Sequence, residues 1–387
     1  MHHIARQKED ATKYTIEPIY EQAAKMIPDA DWYIVPRLIK ILCPDVKQAE
    51  LLLHLPATSK AIAEKLGVEE AWVESTLQEL KMRGLIIAHP LGFKMHATVG
   101  GFVDFTSTTP YSDKYTGDEF YEMLGTLLSD PDHVKQFASF FATGNIAINN
   151  APVNRVLPKW RAIKDIPGLM PAEDLREICK GKMSTSRCMC RMFWPKRIPS
   201  MYDGVYPDEG HCLHFGNMAD YYVNEMKLGK YLTPEEAFKL MDELADKPTV
   251  HVVSNDRQVG FICQCCDDAC MILGTMYRAE ALGAFKMEQG VSPSRFLAVL
   301  DNKKCSGCTS AINSYCISKC QFHALSWSAD GKVVLDAKKC YGCGTCAVAC
   351  PGKALTMKLV RPPEHIPEHG LQWVETFYLQ PDKPVVS

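Results

Sequence analysis

Seventeen of the 387 residues are cysteine, and all but Cys43 fall between Cys179 and Cys350. Thiols so concentrated point either to disulfides or to metal. Disulfide frameworks belong to short exported chains. This chain is long, and its opening residues are charged and interrupted by Pro18 and Pro28, with no apolar run of the kind a signal peptide needs. Metal is therefore the expectation. Towards the C-terminal end, Cys340, Cys343, Cys346 and Cys350 are spaced C-x2-C-x2-C-x3-C and are followed by Pro351. Cys305, Cys308, Cys316 and Cys320 form a second set upstream.

The C-terminal pattern resembles that of two-cluster bacterial ferredoxins. In such a run three thiolates wrap three irons of one cube, while the fourth stands too far round and ligates a neighbouring cluster. The resemblance implies two 4Fe-4S clusters, one on Cys305, Cys308, Cys316 and Cys350, the other on Cys340, Cys343, Cys346 and Cys320. The chain departs from the family in two places: seven residues rather than two separate Cys308 from Cys316, and Gln321 stands where a proline is usual. Between the sets, ALSWSADGKVVLDAKK predicts a hairpin turning at Asp330 and Gly331. Gly307, Gly342 and Gly344 are expected to let backbone N–H groups approach the sulfurs. A zinc ribbon, also built on paired C-x2-C motifs, is the competing chemistry.

A second thiol-rich region lies upstream. The segments RCMCR, HCLHFG and ICQCCDDAC place Cys188, Cys190, Cys212, Cys263, Cys265, Cys266 and Cys270 on strand ends and a helix start. Separate segments could there converge on a third metal site, expected to be a further 4Fe-4S cluster because soft thiolates favour such centres. Cys188, Cys190 and Cys212, with one or more of Cys265, Cys266 and Cys270, are the expected ligands. Buried reduced cysteine is the plain alternative. His211 and His214 could contribute an imidazole but read more simply as structural, and Asp267 and Asp268 read as N-cap and first-turn charges of the next helix. Lys180, Lys182, Arg187, Arg191, Lys196 and Arg197 surround the thiols, with no acid between Cys179 and Tyr202. Such charge lowers thiol pKa and offsets a cluster's negative charge, or it is a solvated basic face.

These sites need scaffolding, and the length predicts two or three compact units. The expected fold class is α+β. A helical lead-in and winged-helix domain is assigned to 1–105, a mixed cysteine-rich module to 106–292, a two-cluster ferredoxin fold to 293–360 and a proline-rich tail to 361–387. The winged-helix assignment rests on ATSKAIAEKLGVEEAWVESTLQELKMRGLI, which resembles MarR-like regulators in its helix, turn, helix and wing entry. Strands are expected at 85–89 and 93–97. The third helix of this unit carries Glu69, Glu70, Glu74 and Glu79 against Lys81 and Arg83. Such a surface repels phosphate, so docking or dimerisation is favoured over DNA binding. Further helices are expected over 118–143 with a start at Pro131, and over 171–180, 233–244 and 268–284. Thr233 and Glu236 form a capping-box pattern. Strands are expected at 211–215 and 249–253, within α+β modules rather than one doubly wound sheet.

A net charge of -3 gives no general attraction to nucleic acid. No stretch approaches the roughly eighteen apolar residues of a membrane span, and a cytoplasmic location is expected. No dinucleotide fingerprint, P-loop or Ser-His-Asp pattern is present. The leading expectation is an iron-sulfur electron-transfer protein or subunit of an anaerobic oxidoreductase system, relaying single electrons to a flavin- or metal-containing partner. The alternatives are a reductase with an open iron-sulfur site in the middle module, and a redox-sensing winged-helix regulator. Catalytic residues, enzymatic activity of its own and self-association are left open.

Overall fold

The computed structural model describes residues 15–27, 33–96, 99–108, 117–127, 129–143, 151–188, 190, 212–267, 270–308 and 315–370. The chain is α+β, as expected. Local signals set its early helices: Asp45 caps Val46–Leu52 through Lys47 N, and Thr58 caps Ser59–Leu66 through Ala61 N. Gly67 closes the second in the left-handed region at φ 66°, where a side chain would be strained. Helix Glu70–Met82 follows, and β1 (Ile86–His89) pairs with β2 (Gly92–Met95) in an antiparallel hairpin. Ala97, expected in the second strand, lies outside the described residues.

Helix Val99–Thr108 was not expected, because Gly100 and Gly101 mask its pattern. Phe102 and Phe105 bury it, and it runs across the boundary expected at residue 105. Helices Asp118–Leu127 and Pro131–Thr143 follow, the latter starting at the anticipated proline.

The middle strands are β3 (Asn154–Leu157), β4 (Met183–Ser186), β5 (Cys212–Phe215), β6 (Lys230–Leu232), β7 (Val250–Ser254), β8 (Phe261–Cys265) and β9 (Val291–Ser292). None is long enough to stand alone, and together they form one seven-stranded sheet in the order β6-β4-β5-β8-β7-β3-β9. Its neighbours are antiparallel except for β3 and β9. Helix Pro234–Leu244 begins with the expected capping box of Thr233 and Glu236. Two helices come out shorter than their patterns suggested. The one expected over 171–180 is Leu175–Ile178, capped by Asp174, and the one expected over 268–284 is Leu273–Ala281.

In the C-terminal part β10 (Phe296–Leu300) pairs with β13 (Leu355–Leu359), and β11 (Leu325–Trp327) with β12 (Val333–Leu335), both antiparallel. Gly331, at φ 74°, turns the second pair as expected. The start of the proline-rich tail is ordered. Residues Pro363–His365 form a 3-10 turn, His365 Nε2 bonds Pro293 O at 2.8 Å and Ile366 is buried. Residues 371–387 lie outside the described residues.

Each sheet face covers one core. Val250, Val252 and Cys265 face a core shared with the N-terminal helices, and this core reaches Phe322 and Cys343. The alternate residues Leu213, Val253 and Ile262 face a second core, shared with Phe296, Ala298, Leu325 and Met357. Both cores cross residue 292, so the C-terminal part is packed onto the sheet rather than strung beside it. Among the described residues no helix is long and apolar enough to cross a membrane.

Candidate metal centres

The C-terminal cysteines surround two cavities. Cys305, Cys308, Cys316 and Cys350 line one, with Leu300, Val333 and Leu355; its space is about 390 Å³, part of it open solvent. Cys320, Cys340, Cys343 and Cys346 line the other, with Ala298, Leu325 and Leu335; its space is about 340 Å³ on the same measure. Each set takes three cysteines from one run and one from the other. The crossing cysteines hold matching positions: Ala354 N donates to Cys350 Sγ and Ala324 N to Cys320 Sγ, each at 3.3 Å.

Backbone geometry keeps the second cavity's loop close to β10. A side chain at Gly342, where φ is 70°, would collide with Phe296 O and Ser294 Oγ. Ser294 instead holds the loop, donating from N to Tyr341 O at 3.0 Å and from Oγ to Gly342 O at 2.8 Å. Lys159 N donates to Cys343 O at 2.9 Å, and Thr345 Oγ1 to Thr249 O at 3.3 Å, so the loop is also fastened to the sheet. Burial pushes the Cys316 and Cys343 thiols up to about 11 and Cys346 well above the usual thiol range. These sulfurs stay protonated until a metal displaces the protons, which makes loading release acid.

The donor set fits a soft, polynuclear group: four thiols per cavity, backbone N–H groups on the crossing sulfurs and largely apolar walls. Residues 333–356, which contain the run from Cys340 to Cys350, match the 4Fe-4S binding domain family. That match gives the chain a ferredoxin-like 4Fe-4S motif near its C-terminal end, and with it a capacity for electron transfer. No curated protein and no solved structure matches the chain.

In the middle module the pleat of the sheet gathers thiols on one face. Cys263 and Cys265 are two apart on β8, and the register of Leu213 with Ile262 sets Cys212 beside Cys263. Ser186 is opposite Cys212, and Cys188 follows two residues on. Cys190 and Cys270 come from flanking segments. Six sulfurs close a ring: Cys188 meets Cys190 and Cys212, Cys270 meets Cys190 and Cys265, and Cys263 meets Cys212 and Cys265. Cys266 is buried next in the chain. Each sulfur has two sulfur neighbours in this ring. Among the described residues no group of three or more His, Cys, Asp or Glu closes on a point as a single ion requires.

Around the ring Cys263 and Cys270 are lowered, whereas Cys190, Cys212 and Cys265 are raised. Donation from Cys212 and Cys265 draws Cys263 down to about 6. Burial alone would raise Cys270, yet donation from Cys190, Cys265 and the N–H groups of Leu273 and Ile272 takes it well below the usual range. Cys190 and Cys212 are raised, chiefly by their bonds to Cys188, and Cys265 by burial and its bonds to Cys263 and Cys270. The residues just before helix Leu273–Ala281 add donors: Met271 N to Cys190 Sγ at 3.2 Å and Ile272 N to Cys270 Sγ at 3.2 Å.

Asp267 does not cap the following helix; its N–H donates to Gln321 Oε1 and its carboxylate meets His323 Nε2 at 2.9 Å. Asp268 lies outside the described residues. His214 is stacked on Tyr222 and bonded through Nε2 to Ser186 Oγ, and burial pulls its pKa down to about 3. Lys180 and Lys182 pair with Glu177 and Asp220 at the surface, while Arg191, Lys196, Arg197 and His211 lie outside the described residues. Cys179 belongs to the opposite core. The segments expected to converge do so, whereas the order of the six sulfurs around the ring depends on strand register and has one local sign, the alternation of Cys263 and Cys265.

Proposed function

We propose that this chain is an iron-sulfur electron-transfer protein or subunit. Two 4Fe-4S clusters occupy the C-terminal cavities, the thiol ring holds a third iron-sulfur centre, and single electrons pass to a flavin- or metal-containing partner. The reciprocal exchange of Cys320 and Cys350 between the two cysteine sets carries this reading, because it is what two adjacent cubes require. When bound, the clusters supply one-electron redox chemistry. The chain fixes their thiolate ligands, donates backbone N–H groups to the sulfurs and lines the cavities with apolar side chains. After reduction by dithionite, low-temperature paramagnetic resonance should show signals broadened by magnetic interaction between close clusters. A lone, unbroadened cluster signal would contradict the two-cluster reading.

A reductase with an open coordination position is less well supported, since the ring offers six thiols, two more than a cubane uses. We read the N-terminal helices and hairpin as a winged helix used for docking. Its two candidate DNA-contacting cations are turned inward: Lys81 pairs with Glu225 at 3.2 Å, and Arg83 with Glu79 at 2.6 Å and with Leu42 O at 2.7 Å. Labelled duplex DNA should therefore bind weakly and with a shallow salt dependence. Tight, sequence-selective binding with a steep salt slope would favour the regulator.

A further inference from the structure

Gln321 stands where proline is usual in the ferredoxin pattern, immediately after Cys320. Its side chain is fully buried, and its Oε1 accepts from Asp267 N at 2.8 Å. Asp267 lies two residues beyond Cys265 of the thiol ring. The backbone of Gln321 is gripped as well: Tyr277 Oη donates to Gln321 O at 2.6 Å. Tyr277 sits on helix Leu273–Ala281, whose first residue donates from Leu273 N to Cys270 Sγ at 3.4 Å. Both the strand and the helix that shape the ring therefore lead to the residue next to Cys320, which lines the cavity shared with Cys340, Cys343 and Cys346. The other cavity is lined by Lys304 and Trp327, both exposed.

We propose that Gln321 is the positioning residue that carries electrons between the thiol ring and the Cys320 cavity. That cavity becomes the inner station of the relay, and the Cys305 cavity faces the external partner. The proposal rests on the reading of both places as metal centres. Electrons couple better along bonds and short hydrogen bonds than across van der Waals gaps. The route Cys265, Cys266, Asp267 N–H, Gln321 Oε1, Cys320 contains one hydrogen bond and otherwise only covalent links. Each transfer moves one electron from the reduced side to the oxidised side, with no bond made or broken. Proline at this position offers no side-chain acceptor for Asp267 N.

The test uses the full, metal-loaded chain, given a substoichiometric pulse of a photogenerated deazaflavin radical as one-electron donor. Rapid-freeze paramagnetic resonance then follows how the electron redistributes between the ring signal and the C-terminal signals. Gln321→Leu should keep its iron content and equilibrium line shapes while redistribution slows by an order of magnitude or more. Gln321→Glu, which keeps an acceptor for Asp267 N, should retain the native rate. Native-rate transfer in Gln321→Leu, or equally slow transfer in Gln321→Glu, overturns the proposal. If leucine lowers the iron content, Gln321→Met, closer in shape, is judged by the same criterion. A double variant, Cys263→Ser with Cys270→Ser, that loses no iron relative to the native chain refutes the metal reading of the ring, and the bridge with it.

Discussion

Replacing Cys343 with alanine should empty one C-terminal cavity and spare the other. Cys343 lines only the cavity it shares with Cys320, Cys340 and Cys346. Its loss removes a ligand from one cube, and about four irons should go with it, by four-thiolate ligation of each cube. Cys308→Ala should do the same to the cavity of Cys305, Cys316 and Cys350. Iron and labile-sulfide analysis of the two variants, with their paramagnetic spectra, checks this. Equal loss of both signals from either replacement would mean that the cavities are not separate centres. Cys43→Ala is the control, since that thiol lies in the N-terminal core and its Sγ contacts Asp45 O.

Arg295→Met should cost about 3–5 kcal/mol of stability, the usual result of breaking a buried ion pair by removing one partner. Arg295 Nη1 meets Glu173 Oε2 at 2.6 Å, with the side chains 2% and 1% exposed. The guanidinium also donates to Gly168 O, Arg361 O and Pro362 O, so one residue fastens the start of β10, the loop before helix Leu175–Ile178 and the beginning of the tail. Removing it leaves the Glu173 carboxylate buried and unpaired. The double variant Arg295→Met with Glu173→Met should recover much of the loss, because two apolar side chains leave no charge stranded. Urea midpoints by far-ultraviolet circular dichroism measure both. A double variant no more stable than the single one would show that the arginine's carbonyl contacts, rather than the ion pair, dominate.

What the sequence disclosed was local, and what it withheld was long-range. The capping box at Thr233 and the proline start at Pro131 are set by neighbours a turn away, and both helices begin there. The spacing of the C-terminal cysteines likewise specifies a motif without reference to the rest of the chain. The sheet order and the sulfur ring come from strands far apart in sequence. Cys212 becomes a neighbour of Cys263 only because β5 and β8 pair in one register out of several. Asp267 illustrates the same limit: beside a helix start an aspartate reads as a cap, yet a tertiary contact with the 321–323 segment takes its N–H and its carboxylate. Gln321, legible only as a departure from a pattern, acquires a partner in the fold.

The most direct measurement is the iron, acid-labile sulfide and zinc content of the intact chain after anaerobic purification. The C-terminal cavities predict about eight irons and about eight labile sulfides, with about four more irons if the thiol ring is filled by a further cube, and negligible zinc. Zinc in place of iron, without labile sulfide, would contradict the electron-transfer reading and leave these cysteines as structural zinc ligands.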